Sequence, residues 1–219
     1  MRCPRLGPCA LSLLACLLTP RAGTAQRVFP LTEWRSYLTA TTPLGGDWSA
    51  IAHLTDYGNV QRRDLDELKV GVSGEYAHGP WQLSTGYEHD VVRTATSRTP
   101  EERFLFEANF EHRITKWLSA SDHEKVEVRD LPTQWATRWI NHLRADLGGS
   151  TMPLVTPWVA RDWSFDARYH EFNKTGWWYG LRVRSRMPVG LEVFFYDEND
   201  LVRTPRRLTA MGLTLNLRS

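Results

Sequence analysis

The chain has 219 residues, 42% hydrophobic and 24% charged, with 27 Lys and Arg against 25 Asp and Glu. So even a balance gives no electrostatic support to a nucleic-acid partner. All three cysteines (Cys3, Cys9 and Cys16) fall within the first 25 residues, which excludes a disulfide framework or a thiolate metal site from the remainder.

The first 25 residues read as an export signal and are set apart from fold reasoning. Arg2 and Arg5 supply the positive end, Ala10 to Leu18 an apolar run too short to span a membrane as a helix, and Pro20 breaks it. Gly23, Thr24 and Ala25 are the small residues expected before cleavage at Gln26. A competing reading takes Leu13-Leu14-Ala15-Cys16 as a lipoprotein site with an acylated Cys16. Without this segment, 27 basic residues less Arg2, Arg5 and Arg21 leave 24 against 25 acidic ones, so the expected single domain over 26–219 is nearly neutral. It holds all 10 tryptophans and no run of 18 apolar residues, so no transmembrane helix is expected.

Eleven strands are predicted in chain order, over 33–41, 48–57, 67–77, 81–92, 103–115, 118–130, 137–146, 154–165, 176–186, 189–197 and 206–217. The fifth and sixth set the pattern. Phe104, Phe106, Ala108, Phe110 and Ile114 alternate with Arg103, Glu107, Asn109, Glu111 and Arg113. After a turn at Lys116 and Trp117, Leu118, Ala120, Val126 and Val128 alternate with Ser119, Ser121, His123, Lys125, Glu127 and Arg129. Such strands, one face apolar and one charged, have the length of about ten residues that a tilted strand needs to cross a bilayer. Alternation alone does not say which face is inside.

Tight turns with Gly or Pro, as at Gly45-Gly46 and Gly79-Pro80, alternate with polar links over 59–66, 94–102, 169–175 and 198–205. Short turns at one end and long loops at the other predict an all-β, antiparallel up-and-down transmembrane barrel of 10–12 strands, closed. Trp34, Trp48, Trp81 and Trp117 are expected beside the short turns as an interfacial belt. The charged face then lines the lumen, with Lys69, Glu75, Glu88, Arg182 and Arg184 flanking a central ladder of Glu107, Glu111, Arg113, Lys125, Glu127, Arg129, Arg138, Arg144 and Asp162. Opposite charges there can pair across neighbouring strands. Asp122 and Glu124 break the pattern on the apolar face, which predicts either a bulge or a position beyond the apolar band. Eleven is odd, whereas single-chain bacterial barrels have even counts, so either 27–31 adds a twelfth strand or one of the eleven is a loop or plug. In the last strand, Gly212, Leu215 and Leu217 are spaced like the signal read by the barrel-assembly machinery, although the chain ends Leu217-Arg218-Ser219 rather than on an aromatic.

Four stretches between Trp34 and Leu217 carry a resemblance: Glu102-Arg103, His123-x-Lys125-x-Glu127-x-Arg129, Thr156-Pro157-Trp158-Val159-Ala160-Arg161-Asp162, and Phe172-Asn173 with Trp178-Tyr179-Gly180-Leu181. Through them the chain resembles an uncharacterised family of bacterial outer-membrane barrels, a domain of unknown function with Arg- and Glu-rich interior ladders. Asp162 stands where the family usually has Glu, and Thr175-Gly176 where it has Asn-Arg, which removes one interior cation. The resemblance implies a fold and a location in the cell outer membrane, and no activity.

Phosphate-binding loops, a His-Glu-x-x-His helix and a nucleophile elbow are absent, and the 7 histidines are scattered. No catalytic residue, metal ligand or cofactor is therefore expected. Asn173-Lys174-Thr175 is a glycosylation acceptor only in a host that modifies such sites. The leading expectation is a non-catalytic structural, binding or narrow-channel barrel, with outer-membrane lipid and the assembly machinery as partners and a small solute or lipid as candidate ligand. Two alternatives are a lipid-modifying hydrolase or acyltransferase, for which His112 lies on the apolar face near Glu111 with no Ser placed beside it, and a soluble periplasmic ligand-binding barrel.

Overall fold

The computed structural model describes residues 31–218 apart from 61–63, 94–96, 149–153, 185–187 and 203–205. The expected export signal, both cleavage readings and residues 26–30 lie outside the described residues. Every regular element described is a strand: β1 (Glu33–Gly45), β2 (Trp48–Asn59), β3 (Asp64–His78), β4 (Trp81–Arg93), β5 (Arg98–Arg113), β6 (Leu118–Leu131), β7 (Gln134–Leu147), β8 (Val155–Asp166), β9 (Glu171–Arg184), β10 (Val189–Asp200) and β11 (Arg206–Arg218). They close into one barrel in sequence order.

Each strand is antiparallel to its neighbours except at the seam, where β1 and β11 run parallel from Glu33 opposite Ala210 to Thr41 opposite Arg218. All eleven predicted strands are in the wall, and among the described residues it closes without a twelfth; of the stretch 27–31, residues 27–30 lie outside the described residues. With an odd number of strands running alternately up and down, the first and last point the same way and can close only in parallel. Both strands therefore start at one mouth, here called proximal, and end at the other, called distal. Thr32 extends the seam: its backbone N–H and its hydroxyl both donate to the Thr209 carbonyl, at 2.9 and 2.8 Å.

Two expectations about the ends are corrected. Among the described residues, the polar links expected to be long are mostly strand, because β3 starts at Asp64, β5 at Arg98 and β9 at Glu171, and β10 runs on to Asp200. Antiparallel pairing satisfies their backbone groups, which outweighs the polar composition. Pro132 and Thr133 alone join β6 to β7 at the proximal mouth, so short turns occur at both ends. Trp48, Trp81 and Trp117 do ring the distal mouth, but Trp34 starts β1 and stands at the proximal one, which Trp135 shares.

The side chains settle which face is inside. Val72, Phe106, Tyr179 and Met211 are 50–60% exposed on the outer wall, whereas Arg103, Glu127, Asp90 and Asp166 are buried at 0–1% exposure. The wall is thus inverted relative to a soluble protein, and its core is polar on one side and aromatic on the other. The aromatic side is a cluster of Trp158, Phe194, Tyr196 and Leu208 with Tyr37 and Trp178 against it, contributed by β1 and β8–β11. Gly180 lies flat beneath the Trp158 ring and Gly176 beneath Tyr196; a Cβ at either would overlap the ring. Gly176 thus fills with a neighbour's aromatic ring the place where the family resemblance led to an interior arginine.

The parallel seam is open to a direct test. Leu38 faces Leu215 across it, and adjacent strands stand about 4.8 Å apart, within disulfide reach. The double variant Leu38→Cys/Leu215→Cys is expected to form an intramolecular disulfide, read as a reducible mobility shift on a denaturing gel. An intervening twelfth strand would hold the pair about 10 Å apart and leave both thiols free.

Candidate functional site

The lumen is the candidate site, and its best-defined part is an ion-pair cluster in the proximal half. Arg103 on β5 is buried and approaches five carboxylates: Asp90, Glu101 at 2.7 Å, Glu88 at 3.3 Å, Glu67 at 3.4 Å and Glu127 at 4.0 Å. These come from β3, β4, β5 and β6, so a single guanidinium ties four consecutive strands through their side chains. Arg129 continues the cluster, donating from Nη2 to Glu101 at 2.9 Å and reaching Asp166 on β8 at 3.4 Å. Arg138 donates to Glu127 through Nε at 2.8 Å and Nη2 at 2.5 Å, and Lys125 lies 3.3 Å from the other Glu127 oxygen. Arg168, in the turn after β8, folds back on Asp166 with Nε at 2.9 Å. Lys69 sits 3.2 Å from Glu67. Six cations (Lys69, Arg103, Lys125, Arg129, Arg138 and Arg168) thus meet six carboxylates (Glu67, Glu88, Asp90, Glu101, Glu127 and Asp166). A buried cluster of balanced sign can bear its desolvation; one with a member missing cannot.

Tyr57 joins this cluster to the opposite wall. Lys69 Nζ lies 4.8 Å and Arg35 Cζ 4.7 Å from its ring centroid, and Arg35 also stacks 4.5 Å from Tyr196. Arg35 pairs with Glu33 at 3.1 Å, while Glu198 takes Lys174 at 2.9 Å. Toward the distal mouth, Arg144 bridges Asp146 at 2.9 Å and Glu192 at 3.0 Å and stands 4.0 Å over the Trp158 ring. Arg182 donates to the same Glu192 at 2.6 Å.

The predicted ladder is therefore divided. Lys125, Glu127, Arg129 and Arg138 belong to the proximal cluster, Arg144 to the distal one. Asp162 stands apart, 2.5 Å from His142 Nδ1 and accepting the Trp178 indole N–H at 2.5 Å. Glu107 takes His123 at 2.8 Å and only grazes Lys125 at 4.0 Å. Glu111 and Arg113 are exposed at the distal mouth and make no ion pair among the described residues. Sequence reasoning missed the centre itself: Arg103 is on the charged face but not in the predicted ladder, Glu101 falls in the predicted link 94–102, and Asp90 lies in the predicted strand 81–92 without a place in the ladder. Inward parity along β4 and β5 was the available signal. Leu105, buried at 1% between Arg103 and Glu107, interrupts it.

Two adjoining cavities remain, of about 610 Å³ in mid-lumen and about 940 Å³ opening at the distal side, and His123, His142 and Arg144 line both. Three histidines face the lumen on carboxylates: His53 on Glu88 at 3.1 Å, His123 on Glu107 and His142 on Asp162. His123 and His142 are direct cross-strand neighbours. Ser84 and Ser121 share the larger cavity with His123, but no hydrogen bond joins either to it among the described residues. Glu111 and His112 form no pair for acyl transfer, since adjacent residues on a strand face opposite ways: Glu111 points to the lumen while His112, on the apolar face as the alternation has it, stacks on Phe110 outside. Among the described residues no three His, Cys, Asp or Glu side chains are arranged to hold a metal. The chain matches no family model and no curated protein.

Replacing Arg103 by Met takes from Asp90 its cation and leaves the cluster with one carboxylate in excess, so the unfolding temperature is expected to fall, with a loss of about 3–5 kcal/mol typical of a broken buried pair. Arg98→Ala, at the exposed start of β5, is expected to leave the melt unchanged. Thermal melts followed by circular dichroism decide between them.

Proposed function

We propose that this is an outer-membrane β-barrel with a non-catalytic role, structural, ligand-binding or narrowly conducting, and a salt-bridged interior. The observation that carries it is the inverted wall. In water a barrel gains nothing by exposing Val72, Phe106 and Met211 while burying Arg103, Asp90 and Glu127, whereas in hydrocarbon that arrangement is the stable one. Exposed tryptophans at both rims support the same placement, since indole rings favour the two membrane interfaces. The export-signal pattern, the spacing of the last strand and the resemblance to outer-membrane barrels of unknown function point the same way. Outer-membrane lipid and the assembly machinery are the partners this reading requires. The distal cavity is where a small solute or lipid headgroup would enter. The same exposed apolar wall weighs against a soluble periplasmic barrel.

A second reading, a lipid-modifying hydrolase or acyltransferase, draws on the His123–Glu107 pair with Ser84 and Ser121 in the same cavity. Lipid analysis of membranes from cells with and without the gene tests it.

The protein is expected to fractionate with the outer membrane, to show heat-dependent mobility on a denaturing gel and to give at most small conductance in planar bilayers. Recovery in the detergent-free soluble fraction contradicts the placement. Large, ion-selective conductance that changes in Glu127→Gln without a change in its melt contradicts the filled interior.

A further inference from the structure

Asp122 and Glu124 on β6 face outward, and neither alternative anticipated from the sequence accounts for them. The register is unbroken from β5 through β8, so no bulge turns them inward. Glu124 stands at the mid-point of β6, and Asn141 and Arg161, also outward, at the mid-points of β7 and β8. A polar group is thus set at mid-height of the wall, whereas the outward pairs His89–Glu102 and Arg207–Asp197 stand nearer the proximal mouth and satisfy each other. Asn141 Nδ2 donates to Asp122 Oδ1 at 2.6 Å and to Glu124 Oε1 at 2.7 Å. Arg161 lies across Leu143 from Asp122, with its Cζ 4.7 Å from the Trp177 ring centroid. One acceptor and one donor of this group, Glu124 Oε2 and Arg161 Nε, are covered and have no hydrogen-bond partner among the described residues.

We infer that the β6–β8 wall is the interface between two copies of this chain, side by side in the membrane. The inference rests on the lipid-facing reading of the wall, because only against hydrocarbon is an unmatched charge at mid-strand so unfavourable. The group is self-complementary. Two acids on β6 and one arginine on β8, about 10 Å apart across β7, are what an isologous contact needs. A two-fold axis along the barrel's length, passing in front of Leu143, sets Arg161 of each copy against the Asp122 and Glu124 carboxylates of the other. The Asn141 amide holds both carboxylates in place, and the surrounding apolar side chains, including Leu143 at 46% exposure, exclude water from the pair. A lipid in the same place would meet the acids with no fixed cation, which is why a second copy is the better match.

The test uses the full chain, whose sequence has no cysteine beyond Cys16. Leu143→Cys, at the axis, is expected to give a reducible dimer when oxidised in native membranes. Leu54→Cys, exposed on β2 across the barrel, is expected to stay monomeric. In detergent, Arg161→Glu is expected to weaken dimerisation at least ten-fold without changing heat-dependent mobility, and Arg161→Glu with Glu124→Arg to restore it. A monomeric mass in detergent together with no Leu143→Cys cross-link in membranes overturns the inference, with or without co-purified lipid; equal cross-linking at both positions overturns it as random collision. A membrane-bound monomer fails the inference alone, whereas a soluble monomer fails the membrane reading as well.

Discussion

The Arg103 guanidinium, enclosed with five carboxylates from four strands, is the constraint to which the rest of the barrel conforms. A buried arginine cannot discharge itself, since its proton is held at any accessible pH, so its charge must be met by geometry. Meeting it takes Glu67, Glu88, Asp90, Glu101 and Glu127 at one level of the lumen, which fixes the mutual register of β3 to β6 as firmly as the backbone ladder does. A slip of one residue would turn Arg103 outward and Phe104 inward. Arg129, Arg138 and Arg168 extend the same logic to β7 and β8 by sharing Glu101, Glu127 and Asp166.

The other half of the lumen is held by rings. Trp178 stacks on Tyr196 at 4.1 Å and lies 5.0 Å from Phe194, and Gly176 and Gly180 remove the side chains that would stand in their way. Tyr57, with a cation on either neighbour, couples the charged half to the aromatic half. The odd number of strands is accommodated by a parallel seam between β1 and β11, whose inward residues are Arg35 and Tyr37 opposite Gly212 and Thr214. The closed seam therefore places Arg35 between the rings of Tyr57 and Tyr196 inside the lumen.

Much of this was legible in the sequence. The alternation of Phe104, Phe106 and Ala108 with Arg103, Glu107 and Asn109 gives strand type and sorts the residues onto two faces, because a period of two has no helical counterpart, although β5 begins five residues before the predicted span 103–115. The parallel seam was not legible, since pairing of the first and last strands is a property of closure rather than of any local pattern. Nor was the centre of the cluster. Glu101 falls in the link 94–102 that polar composition makes look like a loop, and Asp90, though inside the predicted strand 81–92, reaches Arg103 only once β4 and β5 pair. Glu111 and Arg113 continue the pattern of the ladder, yet they run past its filled section into the mouth; alternation separates the two faces of a strand but gives no depth along it. Asp122 and Glu124 were legible as exceptions, and the intact register shows that they are genuine outward charges.

The central claim is that the interior charges are desolvated partners rather than hydrated lining. A double-mutant cycle on Glu127→Gln and Arg138→Gln, measured by chemical unfolding in detergent, tests it most directly, because Glu127 is buried and Arg138 grips it with two donors. A desolvated pair predicts a favourable coupling of about 1–3 kcal/mol that persists at high salt. A coupling near zero, or one that vanishes with added salt, would mean that water and ions reach the pair and would contradict the account.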